Sequence, residues 1–560
     1  MLGHSASMTP SIAFVGAGPT TVYTLARLLA DDPLNVAITI FEQQRIAGQG
    51  SPYRPGWNDP AMLANIASIE IPPVCQTLVE WLLTKSPADR AAMGVRSHEI
   101  ADRAFLPRVV LGRYFADQLE ALIAKARSAG VVIDLRTNCR VIDACCMDDG
   151  IRLTVAPHLG FVTDECFDHA VLATGHQWPA DPEVSRGYFL TPWPASNLAK
   201  LAPAKVGIRG SSLTAIDAAV ALALSHGAFV ENGDDIAYTP NPGAEAFRLT
   251  MMSRKGLLPE ADFYFPVPME PLTLCTSDAV ARLIAERGED LLDEAFDLFR
   301  RELTQCDPDY ARAIGLEQTT LEQFGEAYFA QRASCDPFAW AQANLAEARR
   351  NLKAEFAIPW RYAILRMHDV IGQIVPHLDQ RQFDRFNRHL KPVFVDNYGA
   401  VPHASISRLL ALHRAGKLDV IALGDDYKLD IQPEQGGAVI TNGEDVRHYP
   451  IFIEATGQRP LAASDFPFPS LRKQGVVRDA GAANDDDGVR GIAIDDSFHP
   501  LADGAGTHRL FCLGLPFIMG RHPFIQGITS SHDMGSVVGA ALAKVGTCSQ
   551  ALETQGLEAA

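Results

Sequence analysis

The chain has 560 residues, enough for two to four domains at the usual size of about 150 residues each. Apolar residues make up 47% and charged residues 21%, which excludes wholesale disorder. The formal charge of −18 argues against a nucleic-acid or anionic-membrane surface, because phosphate binding needs a basic footprint.

No apolar run approaches the ~18 residues of a membrane span. The opening MLGHSASMTP has no basic region, and the SIAFV after it is too short for an ordinary signal peptide, so a cytoplasmic location is expected. Ten cysteines contain no C-x-x-C, which excludes a zinc ribbon and the dithiol of disulfide reductases. The 16 histidines show no H-E-x-x-H and the chain no G-x-S-x-G, so neither a metal site nor hydrolase chemistry is expected.

SIAFVGAGPTTVYTLARLLA predicts a buried strand, a turn at Gly16-Ala17-Gly18 and an amphipathic helix. Gly16 permits the tight turn, and Gly18 lets backbone N–H groups approach a pyrophosphate at the helix N-terminus. Thr21 replaces the third glycine of the G-x-G-x-x-G pattern, which predicts slightly looser helix–strand packing. The next strand, NVAITIFE, ends at Glu42, placed to take the ribose hydroxyls of an adenosine. A glycine turn that serves only packing is the alternative. FLPRVVLGRYF puts Arg108 and Arg113 near a helix start, to neutralise a phosphate, pin a substrate carboxylate, or form surface ion pairs.

FDHAVLATGH and YPIFIEATGQRP each run an apolar strand into A-T-G, ending at Gly175 and Gly457. His176 directly after the first reads as structural. Between them, KVGIRGSSLTAIDAAVALAL repeats strand, glycine turn and helix, with Gly210, Ser211, Ser212 and Leu213 at the turn. The following strand ends in Ser253-Arg254-Lys255 where an NAD site places a carboxylate. A guanidinium with a neighbouring cation suits a 2′-phosphate, so this reads as an NADPH site, with a solvated basic turn as the alternative. Residues 270 to 395 show apolar spacing near 3.6 and read as helices, shaping a substrate pocket or bracing two domains. AGAANDDDGVRG (480–491) reads as a polar surface loop without calcium-site spacing. The C-terminal segment offers a strand, a turn at Gly514, a loop holding Arg521 and His522, and a long helix after Gly527, Ile528 and Thr529.

Pro19 after G-A-G, FEQQRIAGQGSPY after the acid, the two A-T-G strands and the order LANIAS, FLPRVVLGRYF, GSSLTAID, SRKGLLP resemble the bacterial FAD-NAD(P)-binding protein family. That family is distantly similar to N-hydroxylating flavin monooxygenases. The resemblance implies an α/β fold with two Rossmann-like dinucleotide-binding domains and a helical insert. The FAD domain would be discontinuous, over 1–200 and 448–560. The NADPH domain would cover 201–270 and 396–447, and the insert 271–395. FAD would contact Gly16, Gly18, Pro19, Thr20, Glu42, Arg108, Gly175, Gly457, Gly514, Gly527 and Ile528. NADPH would contact Gly210 to Leu213 and Arg254.

The last helix would point its N-terminus at the flavin N1–C2 carbonyl, where charge develops on reduction. Asn65, in MLANIAS, matches the asparagine that lies beside flavin C4a in the wider class, though alanine follows it where proline is expected. It is otherwise a turn residue. His522 is the candidate for the substrate side of the flavin, or a histidine that only bonds backbone. The implied activity is NADPH- and O2-dependent hydroxylation of an amine or amino-acid nitrogen through an oxygen adduct at flavin C4a. An NADPH-dependent flavin reductase or dehydrogenase with another acceptor, and a non-enzymatic flavin-binding redox sensor, are the competing readings.

Overall fold

A computed structural model describes the chain except residues 1–8, 31–34, 180, 233–234, 287–289, 482–488, 503, 505, 526 and 559–560, with backbone alone at 232 and 546–558. The acidic part of the 480–491 loop therefore lies outside the described residues. Two compact units result: residues 1–54, 66–177 and 459–560 form the first, and residues 55–65 with 178–458 the second.

The first unit is built on a five-stranded parallel sheet in the order Leu510–Cys512, His169–Leu172, Ser11–Val15, Ala37–Phe41, Val132–Arg136. Ile12, Ala13 and Phe14 are fully buried, the continuous apolar signature of a parallel strand covered on both faces. Helix Pro19–Leu28 packs against helix Ile528–Glu558, where Gly535 and Gly539 meet the Thr24 backbone. A Cβ would stand 2.8 Å from Thr24 N at Gly535 and 2.6 Å from Thr24 O at Gly539. A separate antiparallel sheet joins Cys139–Cys146, Ile151–Pro157 and Thr163–Phe167.

The second unit has a six-stranded sheet: Leu418–Ala422, Arg248–Ser253, Lys205–Arg209, Ile451–Glu454, Tyr188–Phe189, Glu183–Ser185. All neighbours are parallel except the last pair. Helix Leu213–His226 is alanine-rich and almost wholly buried, its Ala215, Ala218, Leu222 and Ala223 packing with Ile208, Leu249 and Ile453. Helices from Ser277–Glu286 to Lys391–Tyr398 fill the expected insert around stacked and edge-on rings of Phe296, Phe299, Phe324 and Phe394. No helix among the described residues is long and apolar enough to cross a membrane.

The fold class is the expected one, but the domain boundaries move. Strands Glu183–Ser185, Tyr188–Phe189 and Ile451–Glu454 were expected in the flavin domain, yet they pair in the sheet of the second unit. The second A-T-G goes with them. Residues 55–65 also belong there: Ala195 N donates to Trp57 O at 2.9 Å, Arg408 Nη1 donates to Ala61 O at 2.7 Å, and Met62 enters that core. The breaks fall at 177/178 and 458/459 rather than at 200 and 448, because hydrogen-bonded pairing decides membership and strands of two to four residues carry little pattern.

Two candidate dinucleotide sites

Parallel α/β sheets bind ligands at the carboxyl ends of their strands. In the first unit, strand Ser11–Val15 delivers the chain to Gly16 at φ +97°, where a Cβ would stand 2.3 Å from the Ala173 carbonyl oxygen. Only glycine fits. Gly18 approaches Gly50, and Pro19 opens the helix without sacrificing a needed N–H. No side chain caps this helix N-terminus, which suits it to an anion. The Thr20 hydroxyl donates to Ser531 Oγ at 3.2 Å. Thr21 does not loosen the packing as expected: it is fully buried and its hydroxyl donates to Gly16 O at 2.6 Å.

Glu42 follows strand Ala37–Phe41 directly. Its Oε2 accepts from Ala17 N at 3.0 Å and its Oε1 from Gln44 N at 2.8 Å, which fixes the carboxylate beside the turn. Each oxygen keeps a lone pair for a hydroxyl donor. Burial raises its pKa, partly offset by those N–H groups. The A-T-G segment brings Gly175, at φ +65° with nothing within 4 Å of its missing side chain, and Gly514 abuts the Thr174 hydroxyl. Sequence reasoning gave no role to Gly48 and Gly50, whose loop packs on the turn through Gly48 N donating to Ala17 O at 2.8 Å. It also missed Gly112, inside helix Arg108–Ser128, which lies against Tyr53 O. The signals were a second G-x-G after the acid and a glycine within a long helix.

The second unit repeats this geometry. Gly210, at φ +137°, would carry a Cβ 2.3 Å from the Ala455 carbonyl oxygen. Gly210 N donates to Met252 O at 2.7 Å and Ser211 Oγ to Ser253 Oγ at 3.0 Å, tying the turn to the next strand. Ser212 precedes helix Leu213–His226, its hydroxyl capping nothing. Gly457 lies at φ +88° after Ala455. Arg254 and Lys255 are exposed just past strand Arg248–Ser253, and among the described residues neither forms an ion pair. Beneath the turn, Arg209 Nε meets Glu454 Oε2 at 2.5 Å. Tyr188 OH donates to Glu454 Oε1 at 2.5 Å, and Arg209 Nη1 to Tyr427 OH at 2.9 Å. Burial, then this carboxylate, holds the Tyr188 hydroxyl protonated well above its ordinary range.

Arg108 is the first residue of its helix, and its charge acts on Tyr53 and on His176, so it lies near the first A-T-G turn. Burial, with Arg108 second, pushes the His176 pKa down to about 4. Arg113 is exposed and faces Asp117 at 3.5 Å, the surface ion pair of the alternative reading. His522 is buried, its pKa pushed down to about 4 by burial and then Arg521, and its Nε2 has no hydrogen-bond partner. Gly527 immediately precedes helix Ile528–Glu558, and Ser531 N donates to its carbonyl. Asn65 belongs to the second unit and His522 to the first; the Asn65 Oδ1 is buried without a partner.

Residues 13–177 match the FAD-NAD(P)-binding family, and residues 276–398 match the YdhS-like middle domain. The chain is 41% identical to the uncharacterized protein YdhS of Escherichia coli (strain K12) over 535 residues, 95% of this chain and 97% of that one. Among solved structures it is similar to the reduced form of ornithine hydroxylase PvdA from Pseudomonas aeruginosa, with a TM-score of 0.50, 12% identity, and 96% and 99% of the two chains covered. It is also similar to FAD-bound DfoA, the cadaverine monooxygenase of Erwinia amylovora, with a TM-score of 0.50, 13% identity, and 94% and 92% covered. At these identities the two solved structures speak for the fold: two dinucleotide-binding domains, the first an FAD-NAD(P)-binding domain. With its near full-length match to YdhS, the chain belongs to the YdhS family of FAD-NAD(P)-binding proteins.

Proposed function

We propose that the chain is an FAD-dependent, NADPH-using monooxygenase that hydroxylates the nitrogen of a small amine or amino acid with O2. The observation that carries this reading is the doubled cradle: Gly16 against Ala173 O and Gly210 against Ala455 O, each at the strand ends of its own parallel sheet. Two cradles in one chain suit two dinucleotides, and without a C-x-x-C pair O2 is the natural electron acceptor. The amine class is taken from the relatives that share the fold, one an ornithine hydroxylase and one a cadaverine monooxygenase.

The residues of the first site fit FAD. The uncapped N-terminus at Gly18-Pro19 takes the pyrophosphate, Glu42 the adenosine ribose, and Gly175 leaves room where the chain passes the cofactor. Bound there, the flavin supplies two-electron redox chemistry linking NADPH to O2. Gly210 to Leu213 bind the second pyrophosphate, and Arg254 with Lys255 bind the 2′-phosphate. Asn65 Oδ1 accepts from an N–H of substrate or nicotinamide, satisfying an otherwise orphaned buried acceptor. His522, neutral at pH 7, orients a bound group through Nε2 without acting as a strong acid.

The test measures NADPH oxidation in air with and without ornithine, cadaverine and related amines, with mass spectrometry for hydroxylamine products and a peroxide assay alongside. Amine-dependent product matched to NADPH consumed is expected. Peroxide or reduced dye with no hydroxylated product from any amine overturns the monooxygenase reading in favour of a reductase. A flavin that NADPH does not reduce leaves only the sensor.

A further inference from the structure

The helical segment matched as a YdhS-like middle domain has no place in the chemistry so far. Its helix Leu321–Ala333 nevertheless reaches the basic turn at the end of strand Arg248–Ser253. Lys255 Nζ stands 4.3 Å from the centroid of the Phe329 ring, and the Arg332 guanidinium lies 5.3 Å from the same ring. Both Phe329 and Arg332 are buried.

Arg332 cannot leave this position. It pairs with Asp396, which also accepts from Tyr328 OH at 2.9 Å, and it faces Glu260 at 3.7 Å. Glu260 in turn meets Arg361 at 2.7 Å and accepts from Trp340 Nε1 at 3.0 Å. This buried network leads back along the chain from Glu260 to Lys255, five residues earlier. The ring that carries Lys255 is thus anchored from behind by paired charges.

A lysine on a four-carbon stem loses much rotamer freedom when it grips an anion. An aromatic face holds an ammonium without offering a full negative charge that would repel a phosphate. A carboxylate in the same place would hold Lys255 equally well and spoil the site. Lys255 stays exposed, forms no ion pair among the described residues, and lies next to exposed Arg254. Burial, then the nearby charges of Arg254 and Arg332, lower its pKa, while the charges of Asp396 and Glu326 oppose them.

We infer that the middle domain sharpens the NADPH selectivity of this protein: Phe329 positions the Lys255 ammonium beside Arg254 as a preformed clamp for the adenosine 2′-phosphate. This rests on the NADPH reading of the second site. Phe329 is a positioning residue, acting only through Lys255.

The test is calorimetric titration of the FAD-loaded full-length protein with 2′,5′-ADP and with 5′-AMP. Wild type should prefer 2′,5′-ADP, and Arg254→Ala should erase most of that preference. Phe329→Leu should weaken 2′,5′-ADP by about threefold to fivefold, the usual worth of an accessible cation–π contact, and leave 5′-AMP unchanged. Lys255→Met, at an exposed position, should weaken 2′,5′-ADP further, and adding Phe329→Leu to it should cost nothing more. If wild type prefers 2′,5′-ADP and Arg254→Ala loses that preference while Phe329→Leu keeps it, the inference is overturned and the NADPH reading stands. Equal losses from Phe329→Leu with and without Lys255 overturn the inference too. No preference in wild type overturns the NADPH reading and the inference with it.

Discussion

At Gly16 and at Gly210 a side chain would strike the carbonyl oxygen of the alanine opening an A-T-G, at the same 2.3 Å, although the two turns lie in different units. The residues just before them differ completely. Val15 is in register with Leu172, an apolar pair, whereas Arg209 is in register with Glu454, an ion pair tied to two tyrosines. The closing residues differ as well: the acid Glu42 follows the second strand of the first unit, and the cation Arg254 the corresponding strand of the second. Sterics dictate the turn, while the layer beneath tolerates any pair that satisfies itself. In the reading proposed above, selectivity is written outside the turn, at the end of the next strand.

The strongest way to break this comparison is to block each turn. Gly16→Val adds a clash and an unfavourable φ worth about 3 kcal/mol or more and should yield protein without flavin. Gly210→Val should remain yellow but lose reduction by NADPH. The flavin absorbance of each purified variant decides, and yellow protein from Gly16→Val refutes the first-site assignment.

Next comes the layer beneath. Arg209→Val alone strands a buried carboxylate and should cost about 3 kcal/mol in chemical denaturation. Adding Glu454→Leu recreates the Val15–Leu172 pair, and Tyr188→Phe removes the hydroxyl that Glu454 accepted from; the triple variant should come back to within about 1 kcal/mol of wild type. A triple variant as unstable as the single one would mean that the ion pair itself stabilises the turn.

Acid probes the first unit more gently. In the first unit, burial holds His169, His176 and His522 near pKa 4, below the ~6.5 of an unfolded histidine. Between these values the unfolded chain binds more protons, so stability falls as pH drops from about 6.5 to 4 and is unaffected above. His522→Gln should flatten that decline by about 1–2 kcal/mol at pH 5, followed by flavin release during urea titration. An unchanged pH slope would place His522 in water. The smallest effect is at the helix starts. Thr21→Gly removes the bond to Gly16 O and should cost about 1 kcal/mol, whereas Ser212→Gly should cost a few tenths, judged by thermal melting. Equal costs would mean that the Ser212 hydroxyl has a partner after all.

The strand–turn–helix units were legible because each is local: the glycines, the apolar run and the closing residue lie within about 50 residues. Both A-T-G strands were legible as motifs, but the unit owning the second was not, since its pairing with Lys205–Arg209 spans some 245 residues. Arg209 and Glu454 look like ordinary strand-end charges until that register joins them. The tie of residues 55–65 to the second unit was equally hidden, because it rests on two backbone carbonyls and one buried methionine. Phe329 reads in sequence as one more helical core residue, and nothing local says that its exposed neighbour is a lysine 74 positions earlier.

The place of strand Leu510–Cys512 and of helix Ile528–Glu558 in the first unit sets a schedule for biosynthesis. The ribosome makes Gly16 and Glu42 well before the strand flanking the first A-T-G and the helix backing Thr24. Nearly all of the second unit is translated in between. The nascent flavin domain therefore waits, with one edge of its sheet unpaired, until strand Leu510–Cys512 is made.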